Sequence, residues 1–439
     1  MLVVIKQRHL PIFLSKSGFA PPYLVQLLQL PEMEVVPRKR RPYSTLEKLE
    51  MKKTLVALAA VSAVTAFAQV TVDGYMDRGY LSLSNSESVR NFKTVGSNAG
   101  TTTLGFKYYE DIGGGMTVGG QVNTDWADIG GASQNLGVAL AQNSGFANSQ
   151  SFVKISSPTA GTLQMGTPNN FTLTNAIAIA SPAFSTGIGS TYSSAFSIAN
   201  GLGTGSAGYG GLVTTGASTG NKSSNNSGAR AIRIANSYQY ISPAISGLTF
   251  SYGLTPQNNN RTADSGFKNT VGVTEYMLRY TNGPIDAAYT SIKYDVGSNG
   301  TNVTSLADAG GSALTQTTLA SQDVTQNLLG VQYQVLPSLK LNVGAGSFTS
   351  SAGAFQGSSA SYGGTYTMGM VDVLAIMARV NDTTAGNNDR NMTGLGVNYN
   401  LSKTSRVYYR YDSINFSSAK DQIAGSVQKR TAIGISKSF

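Results

Sequence analysis

The sequence predicts an all-β fold, a transmembrane antiparallel β-barrel of about sixteen strands. Residues 69–439 contain no run of about 18 apolar residues, so they offer no helix that could cross a bilayer. They instead repeat segments of about ten residues in which apolar and polar side chains alternate, separated by short turns and longer polar connections. The composition, with 50 Gly, 22 Tyr and 12% charged residues, suits such a barrel.

Residues 51–68 have the pattern of a secretory signal peptide. They read MKKTLVALAAVSAVTAFA, with two lysines, an apolar run from Leu55 and small residues around the final Ala66-Phe67-Ala68 triplet. The apolar run is too short to span a bilayer as a permanent helix. We expect cleavage between Ala68 and Gln69, so that residues 69–439 form the mature barrel domain.

Residues 1–50 precede this complete export signal. A signal so far from the start of a chain works poorly, and we therefore interpret residues 1–50 as an unstructured upstream extension, with Met51 as the expected translation start. Residues 1–68 hold 10 of the 32 Lys and Arg and 4 of the 22 Asp and Glu, which leaves 22 basic and 18 acidic residues. The mature net charge is then +4 instead of +10, and a nucleic-acid partner is not expected.

The first strands can be read in order. The segment 70–83 alternates, with Asp73, Tyr75 and Asp77 on one phase, and the segments 101–109 and 116–127 form a hairpin around residues 110–115. Three consecutive glycines, 113–115, permit positive φ angles in a tight turn.

This hairpin, LGFKYYEDIGGGMTVGGQV at 104–122, closely resembles the second hairpin of Gram-negative general porins of the β-proteobacterial type. Residues 233–248 resemble a later strand and turn of that family, and TAIGISKSF at 431–439 resembles its closing strand. The resemblance implies an outer-membrane porin in contact with membrane lipid and lipopolysaccharide. It also implies a homotrimer, and a terminal Phe439 that forms part of the signal read by the barrel-assembly machinery.

The longest connection follows the hairpin of 152–156 and 162–167. It runs from 168 to about 228 and is rich in Asn, Ser, Gly and Ala, and loops of this length are usually functional or disordered. In the porin resemblance it is the third loop, which folds into the lumen and narrows the pore. We expect residues 169–196 inside, with Phe171 and Phe184 as constriction candidates.

The later strands alternate clearly at 248–255, 329–335 and 395–401, which predicts an apolar outside and a polar inside. A soluble β-sandwich that buries the apolar phase remains compatible with alternation alone. Long connections are expected near 258–268, 296–322, 350–359, 382–389 and 416–427.

The mature sequence excludes several kinds of chemistry. It has no Cys and no His, since the single His9 precedes residue 51, so Ser-His triads, histidine metal sites and thiol chemistry cannot be built. Its carboxylates are scattered, as is typical of solvated groups in a lumen or at a rim. We expect no cofactor, no metal and no enzymatic activity.

Pore radius and charged side chains then decide what passes. Between Lys154 and Lys222 no residue is charged, and Thr103 occupies a position where porin relatives often carry arginine. A weak anion preference is therefore assigned to the barrel wall, although each basic residue could equally be a rim charge or lie at the membrane interface. The wall candidates are Tyr75, Asp77, Thr103, Lys107, Arg230, Arg233, Arg279, Arg406 and Arg410.

The leading interpretation is passive diffusion of small hydrophilic solutes and ions. The nearest alternative is a substrate-selective channel for a sugar or an aromatic acid, in which aromatic side chains of the long loop form a stacking surface. An enzyme built on a barrel and an adhesin with a plugged lumen are further alternatives. The aromatic candidates for stacking are Phe171, Phe184, Tyr192 and Phe196.

Overall fold

The computed structural model describes thirteen stretches of the chain, all in the unit that spans residues 64–439. The predicted signal peptide and the upstream extension lie outside them, as do Ala68, Arg230 and Arg233. The described residues are 69–84, 89–95, 98–125, 149–184, 187–196, 237–256, 271–296, 303–304, 315–316, 322–350, 356–383, 389–416 and 427–439.

Strands dominate these residues, as predicted. They are β1 Gln69–Ser84, β2 Val89–Val95, β3 Thr103–Gly113, β4 Met116–Asp125, β5 Ser151–Ser157, β6 Gly161–Thr167, β7 Ser237–Ile241, β8 Leu248–Thr255, β9 Val271–Asn282, β10 Ile285–Val296, β11 Val303–Thr304, β12 Thr315–Gln316, β13 Gln322–Leu336, β14 Leu339–Ser350, β15 Gln356–Met368, β16 Val371–Asp382, β17 Arg390–Asn400, β18 Ser405–Phe416 and β19 Val427–Ser438.

The strands form a closed antiparallel barrel. Within the described residues, β3 to β10 and β13 to β19 pair in sequence order, β10 pairs with β13, and β19 pairs back onto β1, while β11 and β12 form a separate two-stranded ladder. The strands β2 and β3 both pair with β1 and occupy one position around the barrel. The main sheet of 17 strands therefore has about sixteen positions, as the sequence predicts.

The interruption between β2 and β3 is a feature that the alternation does not predict. Gly79 of β1 pairs with Val95, and Tyr75 pairs with Thr103, so four steps along β1 face eight steps along its neighbour. The extra residues leave the ladder, and among the described ones, 98–102, residues 98–100 are buried. This bulge changes what lies near the lumen face of β1.

The carboxyl terminus closes the barrel. Phe439 donates its N–H to the carbonyl of Gly74 at 3.1 Å and accepts the Gly74 N–H at 3.0 Å. The Phe439 ring lies over Gly74 so closely that any Cβ at this position would clash with it. The ring is itself 55% exposed, so the terminal side chain faces outward at the seam between β1 and β19.

The short turns that the structure describes lie at the end of the barrel that carries residues 69 and 439. In the β3–β4 turn, Gly113, Gly114 and Gly115 have φ angles of 86°, 62° and 75°, which confirms the positive φ predicted for them. The strand ends that lead into the long connections lie at the opposite end. No helix among the described residues is long and apolar enough to cross a membrane.

The outer face of the wall is apolar, as predicted. Leu278, Leu341 and Leu395 are among many exposed large hydrophobic side chains, and their cross-strand partners share this face. A soluble sandwich would bury such residues, so their exposure fits a barrel surrounded by lipid.

The inside of the barrel is polar over only part of its surface, and here the predicted polar lining is incomplete. The third long connection, residues 168–236, is called the inner loop below. Its described parts include two π-helical segments, Thr172–Ile177 and Tyr192–Phe196, with the helical turn Ala178–Ala180 between them. These segments pack on apolar side chains of the wall, including Ile292, Leu328, Leu374, Ile376, Met392 and Ile414.

The inner loop thus gives the barrel a hydrophobic core on one side. The apolar side chains that the loop contributes to this core are almost completely buried, among them Ala176, Ile177, Ala180 and Phe196. Full burial of a large apolar side chain stabilises a fold by about 1.5–3 kcal/mol. This gain explains why apolar residues occupy wall positions that face inward. In a lumen filled only with water, apolar side chains at these positions would be unfavourable.

Candidate functional site

The inner loop borders the lumen and begins at an acidic anchor on the wall. Glu275 of β9, which is buried, accepts the backbone N–H of Phe171 at 2.8 Å through Oε2. Its Oε1 accepts both the N–H and the Oγ1–H of Thr172, each at 2.6 Å. One carboxylate therefore holds three donors at the start of the π-helical segment.

Further wall side chains hold the loop backbone at later points. Asn342 of β14 donates to the carbonyl of Ala180 at 2.6 Å, and Gln326 of β13 donates to the carbonyl of Phe196. Asp412 of β18 accepts the N–H of Gly189 at 2.8 Å. Since these anchors extend from β9 to β18, the described part of the loop is fixed along about half of the wall.

The aromatic candidates of the loop face this wall. Phe171 is 3% exposed and Phe184 is 1% exposed, and Tyr192 and Phe196 are buried as well. Buried rings offer no open face to a solute, so the stacking surface considered for a substrate-selective channel is absent at these four residues.

Two of the basic candidates are neutralised by carboxylates. Lys107 of β3 lies 2.7 Å from Asp73 of β1. Arg279 of β9 makes two hydrogen bonds to Asp286 of β10, at 2.9 Å and 2.8 Å. Each pair adds little net charge to the lumen.

Arg410 is enclosed by protein. It is 0% exposed, and its guanidinium carbon lies 5.7 Å from the ring centre of Phe184 and 5.5 Å from that of Tyr408. It also donates to Asn398 at 2.8 Å. The structure therefore places Arg410 beneath the inner loop, where it supports Phe184 through cation–π contact.

Arg406 is brought together with Tyr75 and Thr103. Its Nε donates to Ser436 at 3.1 Å and its Nη2 donates to the hydroxyl of Tyr75 at 3.2 Å. Tyr75 pairs directly with Thr103, so both side chains lie on the lumen face. The hydrogen-bond acceptors of Arg406 in the described part of the chain are neutral hydroxyls, and its side chain is partly exposed.

Asp77 is a structural group in this arrangement. It is buried and accepts the N–H groups of Ala99 and Gly100 at 2.6 Å and 3.3 Å, as well as the hydroxyl of Tyr408. These bonds hold the bulge 98–100, and Asn98 in turn accepts the N–H of Ile188 at 2.7 Å. A carboxylate expected among water-exposed candidates thus connects the bulge to the inner loop.

Sequence reasoning missed three wall residues of this site. Glu275, Asp412 and Arg430 all lie on the lumen phase, and Arg430 forms an ion pair with Asp412. The alternation of side chains along a strand could have identified them. Glu275 lies four residues before Arg279 in β9, so both side chains are on the same face of that strand. A pattern cannot show which of these groups contacts the loop.

The comparisons with known proteins agree with this geometry. A family model described as Gram-negative porin matches residues 54–419. The chain belongs to the Gram-negative porin family. It is accordingly an outer-membrane channel protein, and its localisation is the outer membrane. Members of this family and fold are known as channels. No curated protein matches the sequence.

Solved porin structures share the fold. An anion-selective porin from Comamonas acidovorans is 18% identical with a TM-score of 0.62, and the match covers 85% of this chain and 100% of that chain. The trimer form of OmpT from Vibrio cholerae is 12% identical with a TM-score of 0.51, covering 85% and 99%. Salmonella typhi OmpF in complex with daunomycin is 12% identical with a TM-score of 0.52, covering 84% and 97%.

Proposed function

We propose that this porin is a passive, water-filled diffusion channel for small hydrophilic solutes and ions with a weak anion preference set by the barrel wall. The observation that carries the proposal is the environment of Arg406. Among the described residues no carboxylate lies within ion-pair distance of it, whereas Lys107, Arg279 and Arg430 each contact one. Arg406 therefore keeps its positive charge available to passing ions.

The inner loop adds no opposing charge. Residues 155–221 contain no Asp, Glu, Lys or Arg, and the rest of the loop to residue 236 contains no Asp or Glu, so no carboxylate of the loop opposes the basic groups of the wall. Asp372 of β16 interacts electrostatically with Arg406 but hydrogen-bonds Asn400 at 2.8 Å. This nearby carboxylate reduces the field of Arg406, which is consistent with a weak preference.

The test is the reversal potential of the purified protein in a planar bilayer across a KCl gradient. We expect discrete conductance steps and a reversal potential displaced toward the chloride equilibrium potential. Steps with cation preference would overturn the charge assignment. A bilayer that stays silent although folded protein has inserted would overturn the open-channel proposal itself.

The proposal includes a homotrimer in which copies of this chain cover the wall at β5 and β6. Each of these strands has seven residues, which at about 3.3 Å per residue and a tilt of about 40° rise only about 18 Å. The apolar band of outer-membrane barrels is about 25 Å tall. Val153, Ile155, Leu163 and Met165 form an exposed apolar outer surface on this low wall.

An arginine at Leu163 tests the trimer. We expect Leu163→Arg to convert trimers into monomers in light scattering, because the charge would enter an apolar contact between copies. The matched control is Leu341→Arg, an outward leucine of β14. An unchanged mass for Leu163→Arg, or equal dissociation by both variants, would contradict a trimer contact at this wall.

Lipopolysaccharide and the barrel-assembly machinery are the remaining partners that we propose. The apolar outer face supports contact with outer-membrane lipid. The exposed ring of Phe439 at the carboxyl terminus supports recognition during assembly.

A further inference from the structure

A cavity of about 440 Å³ lies beside the start of the inner loop, toward the end of the barrel that carries the short turns. It is bounded by the loop at Asn169 to Asn175 and by the walls of β6 to β9. The size is within the range of small-molecule sites, and none of the interactions described above fills it.

Side-chain amides form one side of the cavity. Gln164 donates to Gln239, Gln239 donates to the carbonyl of Asn169 at 3.1 Å, and the Asn169 N–H donates to Gln150 at 2.9 Å. An amide side chain offers two donors and two lone pairs. Within the described contacts each glutamine keeps part of this capacity for a bound solute.

The cavity carries little net charge. Among the described lining residues Arg279 is the only ionisable one, and Asp286 neutralises it through two hydrogen bonds. The third nitrogen, Nη1, donates to Asn175 at 3.1 Å, so the guanidinium is held in one orientation. An uncharged solute therefore fits better than an ion, since an ion would leave its water without gaining a counter-charge.

Apolar surface completes the lining. Ile241, Met277 and Ala244 lie among the polar groups, together with the hydroxyl-bearing Thr249. Sugar rings present both hydroxyl groups and C–H faces, and such a mixed lining can accept both. Hydrogen bonds between protein groups hold the amide network and the Glu275 anchor in place, which lowers the cost of ordering the lining around a solute.

We propose that this cavity is a subsite that transiently holds an uncharged polyhydroxylated solute of one or two sugar rings during passage. The inference rests on the proposed diffusion function and specifies a solute class for which the wall provides contacts. Phe171 of the loop also borders the cavity, but it is only 3% exposed, so amide and hydroxyl groups supply the recognition and the site differs from a stacking site.

The experiment measures the ion current of single channels while sucrose is added, with a polyethylene glycol of the same hydrodynamic radius as the comparison. We expect sucrose to reduce the current in a saturable way, beyond the reduction that the glycol causes at equal volume fraction. Thr249→Val, which removes one hydroxyl without changing shape, should weaken apparent sucrose binding several-fold. Ala244→Trp, which fills the cavity from the short turn, should abolish it.

The matched control is Gln332→Leu, which removes an amide on the lumen phase of β13 outside the cavity and should leave sucrose binding unchanged. Equal effects of sucrose and glycol in the native protein would overturn the subsite, as would sucrose binding that survives both Thr249→Val and Ala244→Trp. A channel that conducts ions but shows no saturable sucrose effect refutes the subsite alone, whereas absence of conductance refutes the diffusion function.

Discussion

Glu275 accepts two hydrogen bonds from Thr172, one from its backbone N–H and one from its hydroxyl, and both measure 2.6 Å. The two residues are 103 positions apart in the chain. Their contact fixes where the inner loop leaves the wall, and so it determines which part of the lumen stays open. Since both groups are buried, water cannot replace either partner without rearrangement.

Replacement of Glu275 should loosen the start of the inner loop. Glu275→Ala leaves three buried donors without their acceptor, at about 1–3 kcal/mol for each unsatisfied group. We expect lower resistance to urea and larger fluctuations of the single-channel current. Glu275→Gln keeps one acceptor oxygen, so its urea resistance and current fluctuations should lie between those of the native protein and those of Glu275→Ala. Glu110→Ala, at an exposed carboxylate near the β3–β4 turn, is the control. Native-like current noise in Glu275→Ala would show that the anchor does not restrain the loop.

The hydrophobic core inside the barrel can be tested with two adjacent leucines. Leu328 is 0% exposed beneath the inner loop, and Leu329 is 41% exposed on the outer face. We expect Leu328→Ala to destabilise the protein by about 2–5 kcal/mol because it opens a cavity. Leu329→Ala should cost less, because lipid can fill the space. Urea unfolding in lipid vesicles compares the two, and equal losses would argue against a packed core under the loop.

Phe439 should matter for assembly more than for the final fold. Phe439→Ala keeps the two backbone hydrogen bonds to Gly74 and removes only the ring. We expect a lower yield in outer membranes, while protein refolded in detergent keeps nearly native stability. The control is Phe250→Ala, an outward ring within β8. Equal outer-membrane yields for Phe439→Ala and the native protein would show that the terminal ring is not part of the assembly signal.

Much of the barrel could be predicted because strand alternation and turn conformation depend on residues that are close together in the sequence. Alternation has a period of two residues, so strand phase follows directly from the sequence, and the 113–115 glycines specify a turn that needs positive φ. Membership in the porin family and an inner loop in the lumen followed from the same motifs. The split between β2 and β3 was missed, since a bulge depends on long-range contacts such as those of Asp77.

The site could be predicted less well, because alternation along a strand shows which face of the barrel a side chain occupies but not which residues it contacts. Arg406 and Arg410 share one face of β18, yet Arg410 is enclosed by Phe184 and Tyr408 while Arg406 reaches Tyr75. The difference arises from where the inner loop crosses the wall. Glu275 was missed for the same reason, since its role depends on a contact with Thr172.

The most direct test of a filter on the wall is the permeability ratio of chloride to potassium in Arg406→Gln. We expect this ratio to fall toward one, because the substitution removes a cation that hydrogen-bonds only neutral hydroxyls among the described residues. Lys403→Gln removes the same charge from an exposed short turn and should change the ratio much less. An unchanged ratio in Arg406→Gln, or an equal shift in Lys403→Gln, would contradict a wall filter centred on Arg406.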